Sequence, residues 1–285
     1  MKISIITPSF RSGRWLKLCI ASVADQQGVE FEHIVQDSCS DDETREWLPG
    51  DKRVTAVIEK DSGMYDAVNR GFRRASGDIL AYLNCDEQYL PGALKKVADH
   101  FASHPEVDVL LADTIVVDPN SDYLCERRAL PPQLYHTLVG TTLSYLTSGL
   151  FIRRTALEKH QLYFDTRWKA LGDSQWALHA IRCGVRFGIL REFTSTFAET
   201  GTNLCLTPNA RREKDEARAS APAWVRATSP LWVLHFRLRR LFAGLYFCKP
   251  YDYAIYTPDS PEHRKLHTVP HPTFRWVRPK MSNDS

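Results

Sequence analysis

Two periods of apolar and polar positions interleave over the first hundred residues. Short β-branched or apolar runs at residues 3–6, 31–35, 54–58, 79–83 and 107–111 predict five strands. Between them, Trp15, Leu16, Cys19, Ile20 and Val23 fall on one face of a helix. Residues 43–48 allow a short helix, and 64–75 predict a longer one stopped by Ser76-Gly77. Residues 91–101 predict another, with proline in its first turn. Strand–helix alternation of this kind predicts an α/β fold, a mostly parallel sheet with helices on both faces. Ligands of such sheets sit beyond the carboxyl ends of the strands. Polar residues crowd those ends here, at Thr7-Pro8-Ser9, Asp37-Ser38, Glu59-Lys60-Asp61 and Asn84-Cys85-Asp86-Glu87.

Beyond residue 118 the alternation loosens. Residues 150–152 predict a strand and 155–160 a helix; 173–183 form an amphipathic helix stopped by Gly184, and 186–197 are strand-like. Residues 209–221 are charged and alanine-rich, and 222–247 mix aromatics with arginines. The expected organisation is one α/β domain over residues 1–205 and a helical extension over 206–285.

Composition narrows the class. A formal charge of +3 over 285 residues gives no general footprint for nucleic acid. Seven scattered cysteines without a C-x-x-C pair point to reduced thiols in a cytosolic protein. No apolar run approaches the ~20 residues that span a bilayer, and the N-terminal run is too short for a signal peptide.

The turn after the first strand, Thr7 to Gly13, lacks the glycines of a dinucleotide fold, and no P-loop is present. Asn84-Cys85-Asp86-Glu87 is the chief chemical candidate. Carboxylates at a strand end suit a hard divalent cation, and Mg²⁺ or Mn²⁺ on Asp86 would offset the charge of a departing diphosphate. A solvated turn is the structural alternative. Asp173 opens a helix, where it either caps free N–H groups or acts as a base.

Asp61-Ser62-Gly63-Met64-Tyr65-Asp66-Ala67-Val68-Asn69-Arg70-Gly71, then Ala75-Ser76-Gly77-Asp78, an apolar strand and Asn84-Cys85-Asp86-Glu87, together resemble the signature of the family-2 glycosyltransferases of the GT-A fold. Thr7-Pro8-Ser9-Phe10 and the run from Val35 to Asp41 resemble the family's first two strand ends, so the likeness spans roughly residues 1–205. It implies that Thr7, Pro8, Arg11 and Asp37 contact base and ribose. It implies that Asp61, Met64 and Asn69 border the nucleotide, and that Asn84, Cys85 and Asp86 stand at the family's D-x-D, with Asp86 on Mn²⁺ or Mg²⁺. Asn84 and Glu87 depart from that pattern. Asp173 resembles the catalytic base of an inverting transfer, and residues 197–203 the loop closing over diphosphate and acceptor. Thr147-Ser148-Gly149 stands where many relatives carry a histidine. The implied partners are a nucleotide-diphosphate sugar donor and a glycan or lipid-linked acceptor in surface polysaccharide or glycolipid assembly. Residues 222–247 remain open between a buried terminal helix and one lying on an anionic membrane. A nucleotidyltransferase and a non-catalytic nucleotide-binding module are the rival functions.

Overall fold

A computed structural model of the protein describes residues 1–139, 143–201 and 203–277. The first strands and helices stand where the periodicity puts them. They are β1 (Lys2–Ser9), α1 (Gly13–Ala24), β2 (Glu30–Asp37), α2 (Thr44–Trp47), β3 (Thr55–Ile58), α3 (Met64–Arg74) and β4 (Ile79–Tyr82). A two-residue β5 (Gln88–Tyr89) precedes α4 (Ala93–Ser103) and β6 (Val109–Val117). Then come β7 (Tyr123–Arg127), α5 (Leu134–Leu138), β8 (Leu150–Arg153), α6 (Arg154–His160), α7 (Gly172–Arg182) and β9 (Phe187–Ala198).

These strands form one sheet in the order β3-β2-β1-β4-β8-β6-β9-β5, with β7 paired to β6. From β3 to β4 every pairing is parallel, as the alternation predicts. β8 then inserts antiparallel between β4 and β6, so the sheet is mixed across its second half. The long stretch before β8 frees it from the crossover rule that keeps consecutive βαβ strands parallel.

The period-2 pattern of β1 sends Ile3 and Ile5 into the core under α1 and α4, with Val23, Val97 and Phe101. Ile6 faces the opposite layer, with Val68, Phe72, Phe164 and Trp176. Gly71 lets α3 lie directly on β1, because a methyl group there would overlap the Ile6 side chain.

The extension corrects the helical expectation in part. It carries α8 (Pro208–Ala219), α9 (Ala223–Ala227) and α10 (Ser229–Phe242), but these are followed by a hairpin, β10 (Tyr251–Thr257) and β11 (Ser260–Val269). Tyr253, Ile255 and Val269 of the hairpin pack on Leu90, Ile115, Val117 and Ala198. The Arg264 guanidinium pairs with Asp25 and donates to the carbonyls of Ser22 and Tyr89. The hairpin therefore shares the core of the sheet.

Gly71→Ala should cost about 1–3 kcal/mol of stability through overpacking. Denaturant unfolding of the variant measures it; an unchanged midpoint would show that α3 can lift off β1 freely.

Candidate active site

A cleft of about 900 Å³ opens at the carboxyl ends of β1 to β4. Pro8, Ser9 and Phe10 follow β1 into it, Ser38 follows β2, Lys60 and Asp61 follow β3, and Asn84, Cys85 and Asp86 follow β4. Met64 and Tyr65 open α3 on one wall, and residues 170–175 carry Asp173 on another. One connected space thus joins the strand ends to the start of α7.

Four of the residues implied by resemblance lie elsewhere. Thr7 points into the interior, where its hydroxyl bonds the His33 ring at 2.8 Å. Arg11 is exposed outside the cleft lining, in a left-handed conformation, with its guanidinium on Asp41. Asp37 is buried, and its carboxylate accepts from the Ser40 N–H and hydroxyl at 2.7 Å each. It shapes the loop that presents Ser38 to the cleft. Asn69 is also buried; its amide donates to the Phe164 carbonyl and accepts from the Phe164 N–H, both at 2.8 Å. That reciprocal pair uses both ends of the amide as a clamp on the chain after α6. Pro8, Asp61, Met64, Asn84, Cys85 and Asp86 do line the cleft, together with Asp173.

At the end of β4 the acidic pair divides. Glu87 has no exposed surface; its Oε2 accepts from the Asn84 N–H at 2.8 Å, and its own N–H donates to the Asn84 carbonyl at 3.0 Å. Asp86 faces the cleft. Burial pushes both carboxyls above their ordinary range, and for Glu87 the charge of Asp86 adds to it. Asn84 Oδ1 and Glu87 Oε1 are buried without a hydrogen-bond partner among the described residues. Burial also pushes the Cys85 thiol up to about 12, so it stays protonated and makes a poor cation ligand. No three metal-ligating side chains converge among the described residues. The residues fit an ion taken by one carboxylate, with ligand oxygens and water completing its shell, the usual style of Mg²⁺ beside phosphates.

Asp173 is the second residue of α7, behind Leu171 at the cap position, so it is not the capping residue its place in the sequence suggests. Its N–H donates to the Tyr65 hydroxyl at 3.2 Å, and its Oδ1 accepts from the Ser174 N–H at 2.7 Å. Burial pushes the half-buried carboxyl up to about 6 against those bonds.

The donors ahead of α7 are satisfied from the extension. Glu213 of α8 accepts from the N–H groups of Lys169, Ala170 and Leu171 at 2.8, 2.9 and 3.0 Å, and from the Asn209 amide at 2.7 Å. Burial alone would raise its pKa, but these donors hold it below the ordinary value. Lys169 in turn donates from Nζ to the Ser62 carbonyl at 2.7 Å, tying this loop to the one that carries Asp61. Sequence reasoning missed Glu213, because its partners lie more than forty residues upstream and no local pattern marks it.

Residues 197–203 were expected to border the site, and Phe197, Thr200 and Asn203 do line the cleft, while Thr202 lies outside the described residues. Trp276 joins them from the C-terminal segment and meets the Phe197 ring edge-on at 5.6 Å. That segment is held on β7, where the Glu126 N–H donates to the Thr273 carbonyl at 2.8 Å and the Tyr123 hydroxyl accepts from the Thr273 N–H at 2.9 Å. Nothing in the sequence of the tail marked Trp276 as a cleft residue.

Glu213→Gln leaves one oxygen for donors that now use two and turns an NH₂ group toward the rest. Amide hydrogen exchange at residues 169–171 should quicken by about tenfold or more, with α3 unchanged. Exchange as slow as in the wild type would show that the loop holds itself.

The sequence pattern of glycosyl transferase family 2 matches residues 4–166. An uncharacterized glycosyltransferase of Nostoc sp. is 25% identical over 236 residues, covering 78% of this chain and 72% of the relative. The putative teichuronic acid biosynthesis glycosyltransferase TuaG of Bacillus subtilis is 34% identical over 99 residues, 33% of this chain and 39% of that protein. The crystal structure of residues 1–349 of Staphylococcus aureus TarS, in complex with UDP-GlcNAc, shares the fold with a TM-score of 0.58 at 20% identity, over 73% of this chain and 61% of that one. By the family match over more than half its length, carried on the α/β sheet and strand-end cleft described above, this chain belongs to glycosyl transferase family 2 and is a glycosyltransferase.

Proposed function

We propose that the protein is an inverting glycosyltransferase, moving a sugar from a nucleoside diphosphate to an acceptor hydroxyl, with Asp173 as base and Asp86 as the ligand of Mn²⁺ or Mg²⁺. The observation that carries this is the facing of two desolvated carboxylates, from β4 and α7, into one cleft. Paired acids with separate environments can take separate tasks.

Asp86 lines the same cleft as Asp61 and the first turn of α3, which supports a role at the donor's diphosphate. A divalent cation bound there would offset the charge that builds on the departing diphosphate. Asp173 takes the proton of the acceptor hydroxyl as that oxygen attacks the anomeric carbon. The bond from that carbon to the diphosphate oxygen breaks, and its electron pair leaves with the diphosphate. One displacement inverts the anomeric centre and requires no enzyme nucleophile. TarS structures hold UDP and UDP-GlcNAc, which supports a nucleoside diphosphate sugar as the donor class. Relatives named for teichuronic acid and for PGL/p-HBAD biosynthesis support a glycan or lipid-linked acceptor in surface polysaccharide or glycolipid assembly. Residues 1–205 form the transfer domain, and residues 206–285 an extension that acts on it through Glu213.

Asp173→Asn should lower turnover on the order of a hundredfold to ten-thousandfold while the donor dissociation constant stays near wild type. A parallel loss of donor affinity, or near-normal turnover, would remove Asp173 from the role of base. The base must be ionised, and its carboxyl is raised to about 6, so turnover should fall about tenfold per pH unit below that value and level off above it. A rate flat from pH 5 to 8 would contradict the assignment. Asp86→Ala should abolish any gain in nucleoside diphosphate affinity from Mn²⁺, because Glu87 is turned away from the cleft. Calorimetric titration with and without Mn²⁺ reads this directly, and an undiminished gain would place the cation elsewhere.

A further inference from the structure

α10 faces the opposite way from a core helix. Leu231, Leu234, Leu238 and Leu241 are 61, 52, 38 and 44% exposed, and Phe242 is 84% exposed. Spaced by three, four and three residues, these leucines form a stripe along the outer face. The inner face carries the polar and aromatic groups. Trp232 packs on Tyr135, His235 and Phe236 pack on His136, and Arg240 is the one buried residue of the helix. The helix is therefore docked by its aromatics and shows its leucines to the outside.

Charge selects what covers that face. Between Ala217 and Tyr251 the chain has no acidic residue, against Arg218, Arg226, Arg237, Arg239, Arg240 and Lys249. Arg218 from α8 and Arg237 from α10 line a groove of about 350 Å³ with Val233 and Leu234, beside the stripe. Neither guanidinium forms an ion pair among the described residues, whereas Arg11, Arg53, Arg70, Arg74, Arg186 and Arg191 of the sheet domain do. Two unpaired forked donors in one groove match phosphate oxygens. A second copy of the chain would set two cationic faces against each other. A bilayer with anionic headgroups meets both demands, taking leucines below the headgroups and arginines at their level. No described helix is long and apolar enough to cross a membrane, and α10, at 14 residues, suits lying along the surface.

We propose that the outer face of α10 seats in the interfacial layer of an anionic lipid bilayer, with Arg218 and Arg237 on lipid phosphates. This stands independently of the assignment of Asp173 and Asp86.

The test is cosedimentation of the full chain with phosphatidylcholine vesicles, with and without one quarter phosphatidylglycerol. Wild type should bind the anionic vesicles at least about tenfold more tightly, and raised salt should weaken that binding. Arg218→Gln with Arg237→Gln should erase most of the preference for anionic vesicles, and inorganic phosphate at millimolar levels should not displace the wild type. Leu234→Glu with Leu238→Glu should abolish binding to both vesicle types. All four positions are exposed at the surface or line an open groove, and circular dichroism melting checks that each variant folds. Equal binding to neutral and anionic vesicles, no binding to either, or leucine variants that bind like wild type would overturn the proposal. So would self-association without lipid that the leucine variants abolish, since that would make the stripe a contact between copies.

Discussion

Glu87 sits under the floor of the cleft with no exposed surface, one carboxylate oxygen taking the Asn84 N–H and its own N–H returned to the Asn84 carbonyl. This closed turn at the end of β4 is the constraint on which the site depends. Breaking the reciprocal Asn84–Glu87 bonds would leave buried polar groups unpaired, so the backbone of residues 84–87 is held to one conformation. Asp86 is then the member of the acidic pair that reaches the ligand space. What the sequence shows as two adjacent acids is a buried strut beside a half-buried group that lines the cleft.

The other wall has a comparable logic over a longer range. The loop ahead of α7 has no side-chain cap of its own, and its free N–H groups converge on Glu213 instead. Lys169 links that loop to Ser62, and Tyr65, at the start of α3, accepts from the N–H of Asp173. A methyl group at Gly172 would come within 2.5 Å of the Tyr65 ring, so the approach of the two helices requires glycine there. The strand-end loops and the start of α7 thus form one connected frame, and the extension is a part of it.

Most of the fold was legible because long elements repeat their apolar positions often enough to reveal a period. α1, α3, α4 and α7 and the strands β1, β2 and β6 are cases of this, while β3 and β4, four residues each, show as apolar runs between helices. β5, β7 and α5 are two to five residues long and carry no period. The hairpin was hidden differently. Tyr253 and Ile255 alternate with Asp252 and Ala254 as a half-buried strand should, but the surrounding proline and histidine make the segment look like an unstructured tail. For the site, motif spacing identified which positions matter without giving the direction of the side chains. Thr7 and Pro8 are neighbours on β1, and pleating sends only Pro8 to the cleft. Asp37 and Asn69 keep their motif positions but spend their polar groups on loop and clamp. Glu213 and Trp276 arrive from distant parts of the chain, so only the folded structure brings them to the site.

The most direct test of the central claim is a crystal structure of the protein grown with Mn²⁺ and a nucleoside diphosphate, with anomalous scattering used to locate the metal. One Mn²⁺ peak bonded to the Asp86 carboxylate is expected, with the diphosphate between Asp86 and Asp61 and the Asp173 carboxylate open toward the acceptor end. A nucleotide bound outside this cleft, or a manganese peak whose ligands exclude Asp86, would contradict it.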